Sequence, residues 1–171
     1  MQLDTVIRNR HSVRKYLPFH IPDSQLESVL DAANRAPSAG NLQAFKIFAV
    51  RGDAKKQIVA KCTYGQDFIV GASIVLIFAA QPEASSKEYG ARGSDLYCIQ
   101  DATIAATFAV LKATDLGYST AWIGSFDEAM LTDEIGCDGY IPVAIVPIGK
   151  AGESPRLTLR KKIGEIVQFL D

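Results

Sequence analysis

Arg10-His11-Ser12-Val13-Arg14 near one end of the chain, and Arg160-Lys161-Lys162 near the other, are the residues whose types and spacing point most directly to chemistry. The chain carries 18 Lys and Arg against 19 Asp and Glu, yet Arg8, Arg10, Arg14, Lys15, Arg156, Arg160, Lys161 and Lys162 crowd into two short stretches that contain no acid. Cations gathered without carboxylates repel one another unless the fold separates them or an anion sits between them. Phosphate, which guanidinium forks and ammonium groups grip well, is the usual anion. Two solvated basic surface strips would explain the same clustering. His11 lies between two arginines, where its ring or backbone could touch that anion.

A second segment, Ala36-Pro37-Ser38-Ala39-Gly40-Asn41-Leu42-Gln43, combines a helix stop, small residues, a glycine and two amides. Such a segment can bring backbone close to a planar ligand, and Asn41 and Gln43 carry both donors and acceptors suited to the edge of a heteroaromatic ring. A turn with a cap accounts for the same Pro, Ser, Gly and Asn. Other chemistries lack their signatures. No GxGxxG follows a strand pattern, and Gly149-Lys150 has no upstream glycine at phosphate-loop spacing. No GxSxG elbow occurs, and His11 and His20 share one early segment without an obvious nucleophilic partner, so His20 reads as a surface or packing residue. Cys62, Cys98 and Cys137 are widely spaced with no CxxC or neighbouring His, which predicts no metal site and at least two buried thiols.

The elements that must position these residues follow from periodicity. Leu3, Val6 and Ile7 predict a short helix that presents Arg10 at or beyond its end. Pro22-Asp23-Ser24 starts a helix over about 23–35, with Leu26, Val29, Leu30 and Ala33 on one face and Pro37 stopping it. Residues 46–50 read as a strand, 54–61 as a helix, and 73–80 as a strand apolar on both faces. Residues 95–116 form the longest helical pattern, with Ser94 as N-cap and Gly117 as stop; its apolar middle belongs in the core or at a subunit interface. Strands over 119–123 and 143–148, with a short helix around 127–135, complete an alternation that predicts a central sheet between helix layers.

At 171 residues and 48% hydrophobic, the chain fits a single domain over 1–171 with a substantial core. A net charge of −1 gives no long-range field for nucleic acid. The start lacks the apolar core of a secretory signal, and no apolar run approaches the roughly 20 residues of a membrane helix, so the expected location is cytoplasmic.

Five segments in register, Arg10 to Tyr16, Ala36 to Gln43, Tyr64 to Phe68, Gly117 to Phe126 and Arg160-Lys161, resemble the FMN-dependent nitroreductase family over about residues 3–169. The resemblance implies an α+β fold, a three-layer α/β/α sandwich with a mixed, largely antiparallel sheet, assembled as a homodimer with FMN at its interface. It implies that Arg10, His11 and Ser12 bind the phosphate end, joined by Arg160 and Lys161, and that Arg14 faces N1 and the C2 carbonyl of the flavin, where negative charge collects on reduction. Pro37, Ser38, Ala39 and Asn41 of the partner would line the flavin with Gln43 supporting them, while Ile123, Gly124 and Ser125 approach its other edge. The reaction implied is ping-pong, with NADH or NADPH as donor and a nitroaromatic, quinone, enone or flavin as small-molecule acceptor. No obligatory catalytic side chain and no metal are implied. A specialised branch of the same family, performing dehalogenation or dehydrogenation, and a non-catalytic FMN-holding protein are the alternatives.

Three departures stand out. Gln43 is followed by Ala44-Phe45 where relatives often have Pro and an aromatic. Lys162 stands where many carry proline, which leaves open which of Arg160, Lys161 and Lys162 reaches phosphate. Only 81–93 separates the second strand from the long helix, leaving little chain for a large cover over the substrate side and predicting an open, tolerant pocket.

Overall fold

The structure is a computed structural model and describes residues 1–156 and 158–170. Its elements in order are α1 (Leu3–Asn9), β1 (Tyr16–Leu17), α2 (Asp23–Asn34), β2 (Phe45–Val50), α3 (Asp53–Lys61), β3 (Ile74–Ala80), α4 (Pro82–Arg92), a π-helical turn (Gly93–Tyr97), α5 (Cys98–Asp115), β4 (Ser119–Thr120), α6 (Glu128–Ile135) and β5 (Ile141–Ala151). The sheet runs β1-β5-β3-β2, with β4 also pairing to β5, and every pairing of these strands is antiparallel. Among the described residues one parallel contact occurs, the isolated bridge between Ser12 and Thr120.

The doubly apolar run of β3 explains the layering. Ile74, Leu76 and Phe78 point with Ala144, Val146 and Ile148 of β5 towards α2 and α5, whereas Val75 and Ile77 point with Ile145 to the opposite layer. That layer holds Val59 and Ala60 of α3 and Leu131 of α6. A strand whose alternate residues are all apolar can be stable only with cover on both faces. The result is the α/β/α sandwich that the alternation implied.

Helix α5 is the spine of one layer. Its Ala102, Ala105, Ala106, Ala109 and Ala113 are fully buried, and these small side chains let it approach the sheet closely. All three cysteines are buried.

The structure adds one element that the sequence left unassigned and corrects two expectations. Most of the stretch 81–93 is α4 (Pro82–Arg92), which is kinked at Gly90 (φ 57°, ψ −142°) and leads through the π turn into α5. Ser94 therefore lies inside a continuous helical run, where its hydroxyl donates to the Ala91 carbonyl at 3.0 Å and caps nothing. The strand expected over 119–123 is confined to Ser119–Thr120, with Ile123 rejoining β5 only through a single bridge to Ile145.

Candidate functional site

Arg10 emerges at the end of α1, where its backbone N–H still donates to the Val6 carbonyl at 3.0 Å. Three residues on, Val13 is buried and its N–H donates to the Thr120 carbonyl at 2.9 Å. Arg10, His11 and Ser12 are thus stretched between a helix end and the sheet edge. The Arg10 side chain lines a cavity of about 210 Å³ with Thr107, Val110, Thr120 and Trp122. His11 Nδ1 lies 3.0 Å from the Asn9 carbonyl. A carbonyl only accepts, so Nδ1 carries the hydrogen and Nε2 can donate to an anion only when the ring is protonated. Arg14 is exposed, and its backbone N–H donates to Glu153 Oε1 at 2.6 Å. Among the described residues neither Arg10 nor Arg14 has a carboxylate partner for its guanidinium.

The segment expected to meet a planar ligand is tightly folded. After the exposed Pro37, a single 3₁₀ turn over Ala39–Asn41 contains Gly40 at φ 55°. Asn41 and Gln43 also adopt left-handed φ, 58° and 45°, which residues with a Cβ seldom do. Hydrogen bonds hold this shape: the Gln43 N–H donates to Ser38 Oγ at 3.0 Å, and the Gln43 side-chain amide donates to the Asn41 carbonyl. The Ala39 and Ala44 N–H groups donate to the two oxygens of Asp101, at 2.9 and 3.3 Å.

Ile123, Gly124 and Ser125 follow the same sheet edge as Thr120. Ile123 is buried and exchanges two 3.0 Å backbone hydrogen bonds with Ile145. Gly124 and Ser125 are exposed, and the Ser125 carbonyl accepts from Gln66 Nε2 at 3.4 Å. Gln66 follows Tyr64 and Gly65, whose φ values of 54° and 86° make the sharp turn that brings this amide across. At Gly124 φ is ordinary and an added Cβ would meet only Trp122 Nε1, at 3.9 Å. Nothing within the chain requires a glycine there.

Arg10 to Arg14 and Ile123 to Ser125 therefore share one region, joined through Thr120. The Pro37 to Gln43 segment lies elsewhere. It is tied to Asp101, whereas Arg10 abuts Thr107 and Val110, six and nine residues further along the same helix and so about 9 to 14 Å away along its axis. Arg160 and Lys161 sit on an exposed tail that leaves the body after Gly152 donates to the Lys15 carbonyl at 2.7 Å. Among the described residues no hydrogen bond joins the two basic clusters within one chain. Cys62, Cys98 and Cys137 have thiols pushed up by burial, which suits packing and not nucleophilic chemistry.

Sequence reasoning passed over two contributors. Trp122 belongs to a quoted motif, but nothing in its spacing says that it faces Arg10. Asp101 was legible as an acid on the buried stripe Cys98, Asp101, Ala102 and Ala105 of an otherwise apolar helix.

An α+β sandwich with bare cations at one sheet edge and a strained loop on its spine helix defines a class. The nitroreductase family model matches residues 7–65 and 55–150, and the chain belongs to that family. An NADH dehydrogenase/NAD(P)H nitroreductase of Archaeoglobus fulgidus is 33% identical over 122 residues, covering 71% of this chain and 66% of that protein. An NADH dehydrogenase of Thermus thermophilus is 38% identical over 79 residues, covering 46% of this chain and 38% of that one. The chain thus spans less than two thirds of the length of these two relatives. A nitroreductase family protein of Clostridium novyi superposes with a TM-score of 0.81 at 28% identity, covering 90% of this chain and 87% of the other. A nitroreductase-like protein of Exiguobacterium sibiricum, solved in complex with FMN, shares the fold with a TM-score of 0.90 at 20% identity, covering 99% and 98%.

Proposed function

We propose that the chain is an FMN-dependent oxidoreductase that takes hydride from NADH or NADPH and reduces a small acceptor, a nitroaromatic, quinone, enone or flavin, in a ping-pong cycle. The observation that carries this reading is the acid-free segment Arg10-His11-Ser12, drawn taut beside Thr120 with the Arg10 guanidinium lacking any carboxylate partner among the described residues. Such a donor set fits a phosphate monoester. The bare backbone at Gly124, which the chain itself does not require, fits the close approach of a flat ring.

When bound, FMN supplies the hydride and electron transfer, so no side-chain acid or base is obligatory. The chain's task is to bind and to orient. Arg10 and Ser12 hold the phosphate end, and His11 adds a donor when protonated. Arg14, its backbone fixed by Glu153, keeps positive charge where the ring becomes electron-rich, which makes reduction easier. Ile123 and Gly124 supply backbone along a second edge. Pro37, Ser38, Ala39, Asn41 and Gln43 lie about 9 to 14 Å along α5 from the Arg10 region; in this reading, which follows the family resemblance, a second copy provides them and the site is completed by a homodimer, with Arg160 and Lys161 delivered by the tail.

The test is the visible spectrum of the purified protein, repeated without oxygen after addition of NADPH and, separately, NADH. A flavin spectrum that bleaches with either donor and returns with an acceptor is the expected result. A colourless protein that also fails to bind added FMN would overturn the reading, and a bound flavin that neither donor reduces would leave only a flavin-holding role.

A further inference from the structure

We infer that Asp101 is the positioning residue of the 38–44 loop: its buried carboxylate fixes the left-handed backbone that the flavin ring is to meet. The inference rests on the FMN reading above. Asp101 is 2% exposed, in the first turn of α5, and no cationic side chain pairs with it among the described residues. A buried carboxylate without a counter-ion is unfavourable unless hydrogen-bond donors replace the water it has lost. Here the donors are backbone N–H groups, Ala39 to Oδ1 at 2.9 Å and Ala44 to Oδ2 at 3.3 Å.

These two donors bracket the left-handed residues Gly40, Asn41 and Gln43, of which the last two are strained by their Cβ atoms. The remaining polar contacts of the segment differ in kind. Ser38 Oγ to the Gln43 N–H, Ser38 O to the Asn41 N–H and Ala39 O to the Leu42 N–H all lie inside the loop, so they shape it without fixing it to the body. Attachment comes from Asp101 at both ends and from the Gln81 N–H, which donates to the Ala44 carbonyl at 2.8 Å. The Tyr89 hydroxyl then closes over Gly40, so near that a Cβ at that position would fall 2.3 Å from it. One carboxylate thus sets both the position of the loop on α5 and the span between its ends. A neutral residue of the same shape cannot do this, because an amide offers one acceptor and turns its NH₂ against the second N–H.

Asp101→Asn, with wild type and Arg10→Ala as references, tests the assignment by hydrogen exchange of the ligand-free proteins and by FMN titration. Asp101→Asn is expected to speed exchange in the 38–45 peptide selectively, leave β3 and β5 protected, weaken FMN at least tenfold and alter the absorption envelope of the flavin that still binds. Arg10→Ala should weaken FMN while leaving exchange at 38–45 unchanged. Wild-type exchange, affinity and spectrum in Asp101→Asn would overturn the inference, as would faster exchange spread evenly over the whole chain, the mark of a merely structural acid. Failure of wild type itself to bind FMN would overturn the flavin reading instead, and the exchange comparison would still decide whether Asp101 fixes the loop.

Discussion

Arg10 and Arg14 carry the same charge four residues apart, yet their surroundings assign them different work. Arg10 is half-buried against Trp122 and Thr120, a place for gripping a ligand end, whereas Arg14 is exposed with its backbone anchored to Glu153. Arg10→Ala removes a charge-assisted hydrogen bond of about 1.5 to 3 kcal/mol. That corresponds to about tenfold to over a hundredfold in FMN affinity, read by flavin fluorescence titration. Unchanged affinity would refute its phosphate role. Arg14→Ala should lower the reduction potential of the bound flavin more than it weakens binding; spectroelectrochemical titration giving the wild-type potential would show that Arg14 does not face the ring. The candidate cations were legible because runs of like charge without acids are visible in any sequence. Asp101 stood out less, because only its place on a buried helical stripe distinguishes it from a solvated acid, and its partners are backbone groups 57 and 62 residues away.

Among the elements, periodicity was a good guide where burial is one-sided or complete. α2 and β3 appear within a residue or two of expectation, since their apolar patterns match one helix face and a doubly covered strand. It failed at α4, whose sequence Pro-Glu-Ala-Ser-Ser-Lys-Glu-Tyr-Gly-Ala-Arg has scarcely an apolar stripe, with only Ser85 buried. Tertiary contact holds that helix. Gly93, at an ordinary φ, packs so tightly against α4 across the kink at Gly90 that a Cβ would fall 2.3 Å from the Ser85 carbonyl oxygen. The short strand near 120 has a different cause: in the register set by Thr120 with Ile148, Ala121 falls opposite Pro147, which has no N–H to give, and the same register resumes at Ile123 with Ile145. Gly93→Ala must push backbone against backbone where no flexible side chain can yield. We expect a loss of about 2 to 3 kcal/mol, within the range for overpacking. Thermal unfolding followed by circular dichroism should then fall by about 4 to 12 °C for a chain of this size. An unchanged midpoint would mean that α4 and the π turn separate freely and do not act as one packed unit.

The molecule as a whole buries its sheet on both sides yet leaves apolar surface uncovered in two places. Leu3 and Ile7 of α1 and Phe108 of α5 are 65%, 54% and 37% exposed, and with Val6 and Leu111 they line a groove of about 590 Å³. The tail adds Leu159, Ile163, Phe169 and Leu170, 102%, 70%, 87% and 86% exposed. Contiguous exposed apolar surface of this kind is common at interfaces. We propose a second copy as the cover, which would let the Pro37 to Gln43 loop of one chain serve the ligand that Arg10 of the other holds. Ile7→Asp with Phe108→Asp places two charges in the groove, and burying an unpaired charge is strongly unfavourable. Light scattering coupled to gel filtration should show wild type at twice the 18.5 kDa chain mass and the double variant at the chain mass. Neither residue belongs to the proposed flavin contacts, so FMN binding should fall with the dimer only if each site draws on both chains. A folded monomeric variant that binds FMN as tightly as wild type would show that one chain suffices, and a wild type that already runs at the single-chain mass would remove the homodimer altogether.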